Sequence, residues 1–436
     1  MQNISDCTFN DLVEKYLGNR LPPEMAEQLS MSDQSPEAKN FILRLLQLMK
    51  EAGYPATSFT PYLIRWLSSI KTMLPSAWGG KIPPLTLPDR HKRLDIYVKG
   101  QKRFSQNEVP VFLDMGCGFP PVTTLDTAND LSDWRVFGVD YSFPAYIVYN
   151  QDGHYASFDK NGNFQYFQAL MIPSGRSLYQ DPEGTRNYFK TLFSKLQKDA
   201  SLIDGNKSET VEKDGCRLIY NHVVNFETDN LSFINSDICK VNLPPAQAIR
   251  CMNVFLYFDV KTRTKMVEQT SKLLDENGIM IVGTNGLSIQ SRYFVYENNS
   301  KGPVASEFAF SPDNLGHMSF MPWFTIHEND PEALMLAHLS ETIRSDNTFW
   351  QDFGSEMEKL QKVYEFCWRR PDGFFQVPEQ EQPMSEYMPK VKSMWNQLDA
   401  DGYVDGAVGV LKKAGYEAWK NCAGDIAIKP LAEATP

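Results

Sequence analysis

The 436-residue sequence contains no apolar run of about 18 residues or more, so no stretch of it reads as a membrane span. Positive charge is in short supply: 43 Lys and Arg stand against 54 Asp and Glu, for a formal net charge of −11 at pH 7. A nucleic-acid footprint is usually a basic surface, so nucleic acid is not an expected partner. Cysteine pairing motifs are missing. The seven cysteines are dispersed and form no C-x-x-C, which implies reduced thiols and a cytoplasmic protein. The six histidines include no H-x-x-H or H-E-x-x-H spacing, so no metal site is expected. The opening residues, MQNISDCTFNDLVEKY, carry acids and lack the apolar core of a signal peptide. What remains is ordinary globular composition, 42% hydrophobic and 22% charged, in a chain long enough for two or three units. Aromatics reach 12%, which suits a lined pocket and suits a large core equally well.

The stretch around which the chain is organised runs from Val109 to Asp140. Val109–Leu113 is a short apolar run, as expected of a parallel strand buried on both faces. It ends in Asp114-Met115-Gly116-Cys117-Gly118, where two glycines allow a tight turn and close approach to a ligand. Pro120 and Pro121 suit the first turn of a helix reaching Asn129. A second strand, Arg135–Val139, closes on Asp140. Strand, glycine turn, helix, strand and terminal carboxylate make one nucleotide-binding half of a doubly wound sheet. A nicotinamide fingerprint needs a third glycine or alanine where Pro121 stands.

The form D-x-G-C-G, with an acid closing the next strand, resembles motif I of the class I S-adenosylmethionine (SAM) methyltransferases. The resemblance implies that Asp140 binds the ribose, that Asp114, Gly116 and Gly118 line the amino-acid end, and that Cys117, Pro121 and Tyr141 also belong to the cofactor site. It also implies that Asp237 and Ile238, after the strand Leu231–Ile234, meet the adenine. A second stretch, Cys251-Met252-Asn253-Val254-Phe255-Leu256-Tyr257-Phe258, is similar to the C-R-N-V-x-I-Y-F segment of the chemotaxis-receptor glutamate methyltransferases. Gly118-Phe119-Pro120-Pro121 stands where that family has G-E-E-P. The likeness covers roughly 109–140 and 231–285. It implies the fold, the cofactor SAM with S-adenosylhomocysteine as product, and Asn253 as a site residue. The departures at Phe119, Pro120 and Met252 argue against receptor glutamates as the substrate.

The expected fold is therefore α/β, a Rossmann-like doubly wound sheet of the class I methyltransferase type, with a helical N-terminal region and two inserts. Residues 1–100 read as helical, with apolar stripes at 41–49 and 62–73. The SAM-binding core spans 101–285 and carries an insert at about 145–230. In that insert, three β-like runs at 145–149, 155–158 and 164–167 are separated by Gly/Asn turns, and a helix covers 183–200, with Tyr188, Phe189, Leu192, Phe193 and Leu196 inward. Asp259 should cap a helix that Gly278 terminates, before a fully apolar strand at 279–282. A substrate-side insert is expected over 286–400, and a last helix and strand pair, in 401–436, should complete the sheet.

Methyl transfer is an in-line displacement that asks the protein to orient the acceptor and exclude water. A carboxylate acceptor needs no base, whereas a hydroxyl or ammonium acceptor must lose a proton. Tyr141 and Tyr257, next to the strand ends, and His317 in the second insert are the candidate catalytic residues; His154 is a further candidate. The aromatic inserts and acidic charge favour a small or medium organic acceptor over nucleic acid, and a small molecule is expected as substrate rather than a protein. A protein carboxyl methyltransferase and a non-catalytic SAM-binding regulator are the alternatives.

Overall fold

The structure, a computed structural model, describes residues 88–104, 109–168, 177–178, 181–198, 207–285, 291–315, 330–364 and 384–430. The helices expected at 41–49 and 62–73 lie outside the described residues, as does His317.

The chain enters through α1 (Lys92–Lys99), then β1 (Val111–Met115), α2 (Val122–Asp130) and β2 (Arg135–Asp140). The next strands, β3 (Tyr146–Tyr149), β4 (Tyr155–Phe158) and β5 (Phe164–Gln168), lead to α3 (Pro182–Gln197), β6 (Glu209–Lys213) and β7 (Cys216–Tyr220). The main sheet resumes with β8 (Leu231–Asn235), β9 (Ala246–Met252), α4 (Val260–Thr270) and β10 (Leu274–Asn285). It continues through β11 (Ser291–Asn299) and β12 (Gly302–Phe310). Four helices follow, α5 (Pro331–Ser345), α6 (Asn347–Val363), α7 (Met384–Ala400) and α8 (Tyr403–Lys413), and then β13 (Ala418–Lys420) and β14 (Ile426–Ile428).

The main sheet has nine strands in the order β13-β14-β12-β11-β10-β9-β1-β2-β8. Its half from β8 to β10 is parallel, and from β10 outward every neighbour is antiparallel. By order along the chain, the parallel half reads third, second, first, fourth, fifth, the doubly wound pattern. Helices cover both faces. On one, Leu94 and Val98 from α1, Ala128 from α2 and Leu131 just after it meet Phe112, Val136, Ala248 and Ile281. On the other, α4 and the four C-terminal helices bury Leu113, Ile249, Met280, Val282, Phe294 and Phe308. β1 is buried along its whole length, which is why it reads as a continuous apolar run.

The insert after β2 is a separate five-stranded antiparallel sheet, β5-β4-β3-β7-β6. α3 covers one of its faces: Asp181 caps the helix by accepting from the Gly184 amide at 2.9 Å, Pro182 opens it, and Phe193 stacks on Phe158 with ring centroids 4.4 Å apart. Phe189, Leu192, Phe193 and Leu196 face inward as expected, whereas Tyr188 is 46% exposed.

Several boundaries differ from the sequence reading. α2 begins at Val122 with Pro121 in the capping position, so the glycine loop is longer than expected. Asp259 does cap α4, accepting from the Thr262 amide at 2.7 Å. The helix stops at Thr270, and Gly278 lies inside β10, where the register shifts against β9. A Cβ at Gly278 would stand 2.6 Å from the Ala246 carbonyl oxygen, so close approach of two strands accounts for this glycine. Within the region read as a substrate-side insert, β11 and β12 are long strands of the main sheet. They stand between the parallel half and the expected final pair, β13 and β14, which forms the edge.

Candidate functional site

Chain direction across the sheet reverses between β1 and β9: β1 leads outward to β2 and β8, and the chain then returns to β9 and β10 on the other side. Ligands of doubly wound sheets bind in the crevice outside the carboxyl ends of the strands at such a switch point. The two motifs singled out in the sequence meet there. Gly116 and Gly118 take φ of 74° and 68°, the left-handed region that glycine enters freely. A Cβ on Gly116 would come 2.3 Å from Cγ2 of Val254, the residue that follows Asn253.

Asp140 ties the turn down. One carboxylate oxygen accepts from the Gly118 amide at 2.9 Å, and the other accepts from the Ser142 amide and hydroxyl, each at 2.7 Å. The acid closing β2 thus holds the glycine turn from across the crevice. Cys117 lies between them, its thiol pushed well up by burial and by Asp114 and Asp140, which makes it an inert filler.

Asp114 is beneath the turn rather than in the crevice. Its two oxygens accept from Arg250 Nε at 3.0 Å and Nη2 at 2.7 Å, and Thr124 donates to it at 2.6 Å. Arg250, fully buried in β9, also donates through Nη1 to Asp95 at 2.9 Å and to Thr127 at 2.8 Å. Burial would lower Arg250, but Asp114 and Asp95 outweigh it and hold the guanidinium above its ordinary pKa. Burial lifts Asp95 to about 7, although Arg250 and Thr127 oppose the rise. This network joins α1, β1, α2 and β9 directly below the glycine turn. The sequence carried a signal for it, since an arginine inside the apolar strand AQAIRCM demands a buried acid.

Asn253 stands at the end of β9 with φ of 60°. Its amide group is committed to a reciprocal pair with the end of β10: Nδ2 donates to Asn285 Oδ1 at 2.8 Å, and Oδ1 accepts from the Asn285 amide at 3.0 Å. Asn285 Nδ2 donates in turn to the Arg90 carbonyl at 3.0 Å and sits 2.9 Å from Nδ1 of His91. Burial, with Arg250 and Arg90 nearby, holds His91 well below its ordinary pKa, so it is neutral and can accept there. Arg90 Nη2 donates to the Asn285 carbonyl at 2.6 Å and brings a cation to this rim.

The remaining candidates divide. Tyr141 is 72% exposed beside Asp140, and Tyr257 and Phe258 are exposed at the end of β9. Although part of the Tyr257 ring is exposed, desolvation around its hydroxyl raises its pKa, with Arg90 only partly opposing, so Tyr257 is a donor rather than a base near neutral pH. Asp237 accepts from the Cys239 amide at 3.0 Å and pairs with Lys240, which together keep its carboxyl below the usual range; Ile238 beside it is buried. His154 is buried in the β3–β4 turn, with its pKa lowered by burial, away from the strand ends of the main sheet. Phe119 fills the space between the glycine loop and the second sheet, packing on Tyr155, His222 and Phe226, and its carbonyl accepts from Tyr166 at 3.2 Å.

Strand order, glycine turn and switch-point crevice define an α/β protein with a Rossmann-like doubly wound sheet. The sequence matches no protein-family profile and no curated protein. Among solved structures, an O-methyltransferase family protein from Burkholderia thailandensis aligns at 7% identity over 45% of this chain and 38% of its own, with a TM-score of 0.21. Magnesium protoporphyrin IX methyltransferase from Synechocystis, with bound SAM, aligns at 11% identity over 48% of this chain and 60% of its own, with a TM-score of 0.21. A SAM-dependent methyltransferase from Clostridium acetobutylicum aligns at 12% identity over 51% and 66%, again with a TM-score of 0.21. The chain spans less than two thirds of the length of the first two, 38% and 60%. At these scores the fold assignment rests on the strand order itself.

Proposed function

We propose that this chain is a SAM-dependent methyltransferase acting on a small organic acceptor. The observation that carries the reading is the Asp140 carboxylate at the switch point, bonded at once to the Gly118 amide and to Ser142. A carboxylate offers about four acceptor positions, and three are used here. In this reading a ribose hydroxyl would donate to Asp140 in place of the Ser142 hydroxyl, whose rotation would free that oxygen. Gly116 and Gly118 would let the methionine end lie against bare backbone, and Asp237 and Ile238 would flank the adenine. SAM supplies the electrophilic methyl group. The chain's own part is to orient the acceptor and exclude water at the rim formed by Tyr141, Tyr257 and Phe258.

The test is calorimetric titration of the full chain with SAM and S-adenosylhomocysteine, in the parent and in Asp140→Ala. Binding in the micromolar range, lost by about tenfold or more in the variant with the far-ultraviolet circular dichroism unchanged, supports the reading. Equal affinity in both removes Asp140 from the site, and no binding by the parent chain removes the cofactor.

A further inference from the structure

β11 begins at the carboxyl end of β10, and its second residue is Arg292, which pairs with Thr284. The two side chains share the sheet face covered by α4 and α5. Arg292 is 3% exposed, yet Nε and Nη2 of its guanidinium have no hydrogen-bond partner among the described residues, nor has Oγ1 of Thr284 beside it. A buried cation with unmet donors is costly, which singles the position out.

The acids on this face, Asp330 and Glu332, reach Arg292 with their charge but give their hydrogen bonds to other groups. Asp330 accepts from Arg263 Nη2 at 2.7 Å and from the Ala333 amide at 2.8 Å, and Glu332 accepts from Arg263 Nη1 at 2.6 Å. Nε and Nη2 are the two donors on one edge of a guanidinium, spaced to meet both oxygens of a carboxylate. The protein itself shows that use: Arg250 grips both oxygens of Asp114 with the same two atoms. Arg292 lies two strands beyond β9, so about 10 Å from the Asn253 end of the crevice and farther from the glycine turn.

The geometry points to Arg292 and Thr284 as a carboxylate subsite that orients the acceptor, so that the acceptor is a small organic acid. This rests on the methyltransferase reading for the word acceptor, but not for the subsite.

The experiment measures thermal unfolding of the full chain in acetate, succinate and benzoate, each against its neutral amide at ionic strength matched with chloride. At least one acid should raise the melting temperature above its amide, with its binding weakened about 10–100-fold in Arg292→Gln. Arg292→Lys keeps a cation without the fork and should lose most of the effect. If the glutamine variant does not fold, Arg292→Lys and Thr284→Val carry the test. No preference for any acid over its amide, or the same preference in the variants, overturns the proposal. S-adenosylhomocysteine affinity should be unchanged in Arg292→Gln; its loss would assign the fork to the cofactor and overturn the proposal. A carboxylate effect that depends on Arg292, in a chain that binds no S-adenosylhomocysteine, would retain the subsite and remove the cofactor reading.

Discussion

Replacing Arg250 by methionine keeps most of the side-chain volume and removes the charge that two buried acids share. Asp95 is 1% exposed and Asp114 is 4% exposed, and Arg250 bonds to both. Breaking a buried ion pair from one side leaves uncompensated charge and costs about 3–5 kcal/mol. The loss should depend on pH in a defined direction. Asp95 already has its pKa raised to about 7 in the folded chain, with Arg250 holding it down from a higher value. Without Arg250 its folded pKa rises further above the unfolded value. An acid shifted upward binds its proton more tightly when folded, so stability falls as pH rises from the unfolded pKa through the folded one. Arg250→Met should therefore lose the full amount at pH 8 and less at pH 5, where Asp95 takes up its proton. Equilibrium urea unfolding at both pH values, followed by circular dichroism and fluorescence, measures the difference. The double variant Arg250→Met with Asp114→Asn should recover part of the loss, because an apolar replacement of the whole pair is often neutral. A loss that is equal at pH 5 and pH 8, or below about 1 kcal/mol at both, would refute the reasoning.

Gly116→Ala should destabilise the chain by about 1–3 kcal/mol, since its φ of 74° disfavours a side chain and the new methyl meets Val254; adding Val254→Ala should relieve only the steric share, and full recovery in urea unfolding would show that the backbone is unstrained. Asn253→Gly keeps the residue able to hold φ of 60° but cuts the pair to Asn285. Its expected cost is about 1–3 kcal/mol together with faster hydrogen exchange at the ends of β9 and β10, and unchanged exchange there would mean that the pair does not hold the rim.

Much of this architecture was legible one element at a time. β1 announced itself because a strand buried on both faces has no polar side to show. The β3–β4–β5 turns were marked by Asn-Gln-Asp-Gly and Asp-Lys-Asn-Gly, and Asp259 was a readable cap. The hairpin of β11 and β12 carried its own signal, an aromatic and β-branched run up to Glu297, then Asn-Asn-Ser-Lys-Gly, then a second run. It was read as an insert because local pattern does not say which sheet a strand joins.

What the sequence by itself determined is the set of local events: two glycines that permit a sharp turn after an apolar strand, an acid at the end of the next strand, and the alternation of strand and helix that makes a doubly wound sheet. Those are properties of neighbouring residues. What only the tertiary structure decided is partnership across long separations. Arg250 demanded an acid, but Asp114 and Asp95, 136 and 155 residues away, became its partners only when β1, β9 and α1 packed together. Folding likewise committed Asp114 to Arg250, bound Asn253 to Asn285, and left the Nε–Nη2 edge of Arg292 beside Thr284, because the cost of burying a charge or an amide is met by whatever folding brings within hydrogen-bond reach.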